Sequence, residues 1–285
     1  MERNTAKRTL EKLLSVCICL CMLGAMLPAQ VFAEEADTAQ TETVQDTAPK
    51  DTVYLSSADD LIQLAKNCRL DSWSQNRTVV LQADIDLSSV DFNGIPSFGG
   101  TWEGQNHAIT GLSLSQDGSV QGLFRYVQQG ALVRDMTVKG RIKPGGTRAS
   151  VGGIAGSNAG TIENCAFDGV VSGTSQIGGI AGVNTVKGSI NDCTVSGTVY
   201  GSHFVGGVVG QNDGVAANCT NAASVNTTVS QNEVKLNDLT LDDLLKTEKA
   251  NDVTDAGGIA GNNAGVLRAC INRGTIGYSH IGYNF

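Results

Sequence analysis

The sequence predicts an all-β protein, a right-handed parallel β-helix with about 26–28 residues per coil and a short N-terminal capping helix. Three observations lead to this prediction. Nearly the same glycine-rich word recurs four times, the residues after each copy repeat in type, and glycine supplies 35 of 285 residues. Periods of this size are typical of solenoids, in which each repeat stacks on its neighbour.

The repeated word is GGIAG or GGVVG. Its copies begin at Gly152, Gly178, Gly206 and Gly257. The first two intervals are 26 and 28 residues, and the third, of 51 residues, corresponds to about one period plus an insertion. An earlier divergent copy, GLF, begins at Gly122.

Two further residue types recur at fixed distances after each glycine pair, and each set of equivalent positions is called a column. Six residues after each start comes an asparagine, and later a cysteine; these are Asn158, Asn184, Asn212 and Asn263, then Cys165, Cys193, Cys219 and Cys270. Stacked asparagines can hydrogen-bond along the column and accept the left-handed conformation at a corner. The cysteines are interpreted as small buried apolar residues. Because Ile162 and Cys165 have opposite strand parity, a bend or bulge must separate them if both face the core.

Other interpretations of these columns stay open. Five cysteines follow residue 33, so disulfides between adjacent coils are one alternative. A zinc site is another, although the cysteines lack the close pairing of structural zinc motifs. A helical solenoid is disfavoured because each glycine costs a helix interior about 1 kcal/mol, and because Thr, Val and Ile between the glycines favour strands.

The rest of the chain divides by composition. Residues 1–33 have the basic start, apolar run and small residues before Ala33 of a cleaved signal peptide. Residues 34–50 are polar and are predicted to be a disordered leader. The β-helix spans 51–285, with the capping helix at 57–69, repeat coils at 122–285 and an acidic insertion at 226–255. Ser57 is the expected N-cap of this helix. Its apolar face, which includes Leu61, Leu64 and Cys68, is expected to cover the open end of the β-helix. The stack is expected to continue beyond Phe285, as part of a longer protein.

Net charge limits the classes of partner. The whole chain carries −8, and removal of residues 1–33 takes away four basic and two acidic side chains, which moves the charge to −10. An acidic, aromatic-poor chain argues against nucleic acid and against attachment to anionic lipid. We therefore expect no nucleic acid partner, and no membrane attachment of the mature form unless a C-terminal region beyond Phe285 anchors it.

The sequence contains none of the common catalytic motifs. The three histidines, His107, His203 and His280, form no H-E-x-x-H motif, and no nucleophile elbow or phosphate loop occurs. A β-helix enzyme acting on acidic polysaccharides would need converging carboxylates and a base. The candidate carboxylates fall at different repeat positions, and the nearby cations are isolated; they are Glu163, Asp168, Asp192 and Asp213, with Lys187 and Arg268. No catalytic residue, cofactor or metal ligand is predicted.

The repeat words GGIAGSNAGTIENC, GGIAGVNTVKGSINDC, GGVVGQNDGVAANC and GGIAGNNAGVLRAC resemble the GLUG repeat. The resemblance covers roughly 51–285. It implies an extracellular bacterial solenoid, of a repeat type also found in adhesins and in immunoglobulin A1-cleaving metallopeptidases. Those peptidases carry their zinc motif in a separate domain, so the resemblance transfers no activity to any residue here.

The function expected from these features is a secreted or cell-surface scaffold or adhesion-type module without catalytic activity. Its repeat faces would bind an extracellular glycan or host protein, or the stack would serve as a stalk. The alternatives are a polysaccharide lyase or glycoside hydrolase-like β-helix, or the N-terminal part of a larger surface protease or adhesin.

Overall fold

The computed structural model describes residues 51–146, 148–226, 232–235, 255–277 and 281–284. It contains one helix, α1 (Ala58–Asn67). The first strands are β1 (Thr52–Leu55), β2 (Thr78–Leu81), β3 (Ile85–Asp86), β4 (Ile95–Phe98), β5 (Thr101–Leu114), β6 (Phe124–Val127), β7 (Leu132–Ile142), β8 (Ala149–Gly152), β9 (Ala155–Asn158), β10 (Thr161–Ser172), β11 (Ser175–Gly178) and β12 (Ala181–Asn184). The others are β13 (Ser189–Asn191), β14 (Thr194–Tyr200), β15 (His203–Gly206), β16 (Val209–Asn212), β17 (Val215–Ala217), β18 (Thr220–Asn221), β19 (Ser224–Val225), β20 (Asn232–Lys235), β21 (Ala256–Gly257), β22 (Ala260–Asn263), β23 (Val266–Arg268), β24 (Ile271–Asn272) and β25 (Ile281–Asn284).

Three parallel sheets form the walls of a β-solenoid, which confirms the predicted parallel β-helix. The wall of six strands has the order β22-β16-β12-β9-β6-β4, so each of about six coils contributes one strand to it. A four-stranded wall has the order β21-β15-β11-β8, and a thirteen-stranded wall begins β1-β2-β5-β7-β10. Register follows the repeat, because Asn184 pairs with Asn158 on one side and with Asn212 on the other.

The glycine pair forms the corner between the four-stranded and six-stranded walls. β11 ends at Gly178 and β12 begins at Ala181. A Cβ on Gly178 would lie 2.1 Å from the Ala181 carbonyl oxygen, and one on Gly179 would lie 2.4 Å from the Gly207 carbonyl oxygen of the next coil. Any side chain at either position would therefore collide with backbone, which explains why the word recurs.

A left-handed residue bends the long wall immediately before each cysteine. Its φ is +47° at Asn164, +53° at Asp192 and +55° at Asn218. This bend brings Ile162 and Cys165 to the same side despite their opposite parity, and both are buried. The stacked asparagines do not use the left-handed conformation that asparagine tolerates at corners. They end extended strands of the six-stranded wall, at Asn158, Asn184, Asn212 and Asn263.

Helix α1 lies against β1 and β4 of the first coil. Ser57 is its N-cap, as predicted, and the Ser57 hydroxyl oxygen accepts a hydrogen bond from the Asp60 N–H at 3.2 Å. Leu61, Leu64 and Cys68 are buried on the face that was predicted to pack on the solenoid. The helix is shorter than the predicted 57–69, because Cys68 is its C-cap.

The core runs inside the three walls along the described stack. Its largest buried side chains include Trp102, Phe98 and Phe124 of the early coils, whose ring centroids lie 5.1–5.9 Å apart. Later coils use β-branched and small residues in the same columns. In the coil at 255–277 the equivalent positions are partly open, and Leu267, aligned with buried Ala216, is 38% exposed.

Some predictions lie outside the described residues. They are the signal peptide at 1–33, the leader at 34–50 and most of the insertion at 226–255. Within that insertion, residues 232–235 form β20, which pairs in parallel with β25. Among the described residues there is no helix long and apolar enough to cross a membrane.

Candidate functional site

The stacked asparagines form a hydrogen-bonded ladder inside the wall. The Nδ2 of Asn158 donates to Oδ1 of Asn184 at 2.8 Å, and Asn184 donates to Asn212 at 2.8 Å. Asn212 in turn donates to Asn263 at 2.7 Å. Asn158, Asn184 and Asn212 are fully buried. Because buried amides need partners in every coil, the column requires asparagine rather than any polar residue.

A second asparagine pair, which joins buried Asn221 to exposed Asn272, was missed from the sequence. Asn221 occupies the column of buried Val195. Its Nδ2 donates to Oδ1 of Asn272 at 2.8 Å and to the Ala223 carbonyl oxygen at 3.2 Å. The matching position of Asn221 and Asn272, 51 residues apart like Gly206 and Gly257, was a signal that could have identified this pair.

The cysteine column contains free thiols. Cys165, Cys193 and Cys219 are buried, and Cys270 is half-buried. The Sγ of Cys165 lies 3.2 Å from the Glu163 carbonyl oxygen, and that of Cys193 lies 3.1 Å from the Asn191 carbonyl oxygen. Burial raises the pKa of the Cys165 thiol to about 12 and also raises the pKa of Cys193. Buried protonated thiols of this kind are poor nucleophiles and poor metal ligands.

Three of the four candidate carboxylates make separate contacts rather than sharing one centre. Asp168 accepts a hydrogen bond from the Ser196 hydroxyl of the next coil at 2.8 Å, and Asp213 accepts one from Gln211 Nε2 at 2.9 Å. Glu163 lies 3.8 Å from Arg134 Nη1. In the described ranges, no group of three or more His, Cys, Asp or Glu side chains could hold a metal ion.

The histidines are also spread along the stack. His107 Nδ1 lies 3.1 Å from Asp84 Oδ1, which also accepts a hydrogen bond from the Ala108 N–H at 2.9 Å. That backbone hydrogen bond, followed by the one to His107, lowers the pKa of Asp84. His203 Nδ1 lies 3.8 Å from Asp255. His280 is outside the described residues.

An ionic ladder runs across three coils on the outer side of the long wall. The Arg134 guanidinium donates to both carboxylate oxygens of Glu103, at 2.7 and 2.9 Å, and lies near Glu163. The hydrogen bond to Glu103 raises the pKa of Arg134. These ion pairs on the outer face therefore link neighbouring coils along the stack.

A cleft of about 250 Å³ lies between helix α1 and the loop that leads into β4. Lys66 and Arg69 contribute from the helix side, Asp91 and Phe92 from the loop, and Arg125 from β6. None of the residues singled out from the sequence lines this cleft.

Together these features define a parallel β-solenoid whose repeat columns are structural. The coil at 173–200 matches the model of the GLUG motif. The chain is 29% identical, over an aligned length of 128 residues, to Halomucin of Haloquadratum walsbyi, and the match covers 39% of this chain and 1% of that protein. A crystal structure of a candidate immunoglobulin A1 protease from Bacteroides ovatus matches with a TM-score of 0.46 at 17% identity, over 81% of this chain and 84% of that one.

Proposed function

We propose that the protein is a secreted or surface-displayed scaffold of the adhesion type, without catalytic activity, whose outer faces bind an extracellular glycan or protein. The main support is the use of its polar side chains. Asparagines, Arg134 and Asp168 are engaged along the stack, coil to coil, instead of converging on one point as a catalytic centre requires.

The match to Halomucin supports the same proposal. The matched segment makes up only 1% of that protein, so related coils are used there as a small part of a far longer chain. A rigid, extendable stack suits a role as spacer and binding surface, since each coil contacts only its neighbours and adds length to the face. The export signal inferred from residues 1–33 would deliver the chain to the cell exterior.

The proposal is tested with the full chain expressed in a bacterial host. Cell fractionation and antibody labelling of intact cells report where the product goes. The exported product is then applied to immobilised glycans and host proteins, and the same mixtures are assayed for released sugar or peptide. We expect an exterior location and binding without product release.

Different results would overturn different parts of the proposal. Retention in the cytoplasm contradicts export, and release of oligosaccharide or peptide contradicts the absence of catalysis. An exterior location with no binding to any panel member contradicts adhesion and leaves the stack as a spacer. A heat-unfolded sample serves as the control for nonspecific attachment.

A further inference from the structure

The cleft beside helix α1 has a preformed wall. The loop at 91–96 is held by the Ile95 N–H, which donates to the Leu123 carbonyl oxygen at 2.7 Å. Arg125 Nη2 donates to the Asn93 carbonyl oxygen at 3.2 Å. Gly94 has φ +79°, and a Cβ there would lie 2.8 Å from the Gly122 carbonyl oxygen. These contacts hold the loop in one conformation before a ligand binds. Binding would therefore lose little conformational entropy in the loop.

The charge of the cleft is opposite to that of the protein. Lys66, Arg69 and Arg125 face one carboxylate, Asp91, whereas the whole chain carries −8. None of the three cations forms an ion pair with any carboxylate in the part of the chain that the structure describes. Such an uncompensated cationic cleft attracts anions.

Arg125 has donor capacity left over. A guanidinium carries five N–H donors, and the described contacts of Arg125 use one of them, toward Asn93. Its Nε is buried without a hydrogen-bond partner. A buried donor without a partner costs free energy, and a nearby anion reduces that cost by interacting with the delocalised charge.

The cleft also has apolar lining from Ile62, Phe92 and Pro96. Its volume of about 250 Å³ is slightly below that of pockets for drug-sized ligands, roughly 300–1,000 Å³. A ligand that fits must be compact, anionic and partly apolar. A sugar ring with a carboxylate meets all three conditions, because its C–H face can lie on apolar side chains while the carboxylate meets the cations.

We propose that this cleft binds one carboxylate-bearing sugar residue of an acidic glycan, with Lys66, Arg69 and Arg125 recognising the carboxylate. The inference rests on the glycan-binding form of the function proposed above and assigns that binding to a defined place.

The experiment measures binding of D-glucuronate to the exported full chain by nuclear magnetic resonance titration or calorimetry at low salt. D-Glucose is the matched neutral probe, since it differs at the carboxylate position, and inorganic phosphate is the anion without a ring. We expect glucuronate to bind more tightly than both. Equal binding of glucose overturns recognition of the carboxylate, and equal or tighter binding of phosphate overturns recognition of the sugar.

Exposed residues allow variants that leave the core untouched. Lys66→Gln with Arg69→Gln is expected to weaken glucuronate binding about tenfold, since each exposed ionic contact contributes up to roughly fivefold. Asp91→Asn removes the opposing carboxylate and is expected to strengthen binding about threefold. Lys187→Gln removes one positive charge from a distant exposed turn and serves as the control.

These variants also separate the cleft from the general function. If Lys187→Gln weakens binding as much as the double variant does, the effect is one of net charge and the cleft assignment is overturned. If the double variant still binds acidic glycans on the panel as the wild type does, the cleft is overturned and adhesion by the repeat faces stands. If the wild type binds no member of the panel, the proposed adhesion function is overturned.

Discussion

At the scale of single residues, the interior of this solenoid depends on side chains that satisfy each other between coils. Asn184 shows the principle, since its Nδ2 donates to Asn212 and lies 3.1 Å from the Val215 carbonyl oxygen, while its Oδ1 accepts from Asn158. Removal of the Asn184 amide would therefore take a hydrogen-bond partner away from the coil on each side. Buried groups without partners are costly, so the column resists substitution even by other polar residues.

Substitution of this asparagine is the first prediction. Asn184→Ala should lower the free energy of unfolding by about 1–3 kcal/mol, because it leaves the Oδ1 of Asn212 without its donor and the Nδ2 of Asn158 with only its longer contacts, at 3.2 Å, to the Gly160 and Ser189 carbonyl oxygens. Urea unfolding followed by circular dichroism measures the loss. Asn191→Ala is the control, since Asn191 is half-buried and bonds only within its own coil, to Ser189 at 2.9 Å. Equal losses in the two variants would contradict the ladder as a source of stability.

The buried thiols make a prediction about pH. The pKa of Cys165 rises from its ordinary value of 9.0 to about 12 on burial. A raised folded-state pKa means that its stabilising effect is complete below pH 9 and is lost as the pH rises toward 12, because the unfolded thiol then loses its proton first. Wild-type stability should therefore decline over pH 9–12.

Replacing one cysteine isolates its share of that decline. Cys165→Ala should reduce the slope of unfolding free energy against pH by up to about 1.4 kcal/mol per pH unit, the value for one proton. Urea titrations at several pH values measure the slope. Cys270→Ala changes a half-buried member of the same column and should reduce the slope less. An unchanged slope in Cys165→Ala would show that this thiol does not titrate late.

At the scale of elements, the bend in the long wall determines which side chains reach the core. The left-handed residue directly before the cysteine, such as Asn164 or Asn218, resets the alternation so that the apolar residue before it and the cysteine after it are both buried. Asparagine and aspartate tolerate this conformation better than other side chains. This preference accounts for Asn164, Asp192 and Asn218, whereas the fourth member of the column, Ala269 with φ +52°, departs from it.

The effect of the bend on stability can be tested at a left-handed residue whose side chain is exposed. Asn218 is exposed and has φ +55°. Asn218→Val should destabilise the protein by about 1–2 kcal/mol, since a left-handed conformation is unfavourable for a β-branched residue, whereas Asn218→Gly should not. The matched control, Asn191→Val, introduces valine into an extended strand that accepts it. If both valine variants lose the same stability, the bend is not the cause; thermal melts provide the comparison.

At the scale of the whole molecule, the solenoid is a series of similar units with nearest-neighbour contacts. The register is preserved from coil to coil, with Gly152, Gly178, Gly206 and Gly257 aligned in one wall. Stability is then approximately a sum over coils and the interfaces between them. Helix α1 and the aromatic cluster of Phe98, Trp102 and Phe124 lie at the first coils, so this part of the stack differs in composition from the later coils.

Deletion of a full period tests this modular arrangement. Removing residues 178–205 joins Ile177 to Gly206 and leaves every column in register, so the shortened chain should keep a β-rich circular dichroism spectrum with a lower melting temperature. Removing only residues 178–191 breaks the columns and should abolish cooperative melting. Cooperative melting of the half-period deletion would contradict the requirement for register.

The sequence by itself determined the parallel solenoid, its period and the N-cap of its single described helix. Equivalent residues of a stacked repeat have equivalent surroundings, so the sequence repeats with the same period as the coils. Tertiary structure alone decided which residue takes the left-handed bend, and that Lys66, Arg69 and Arg125 meet in one cleft. The cleft joins residues from a helix, a loop and a strand whose proximity depends on how the first coils pack, and no repeat in the sequence records that proximity.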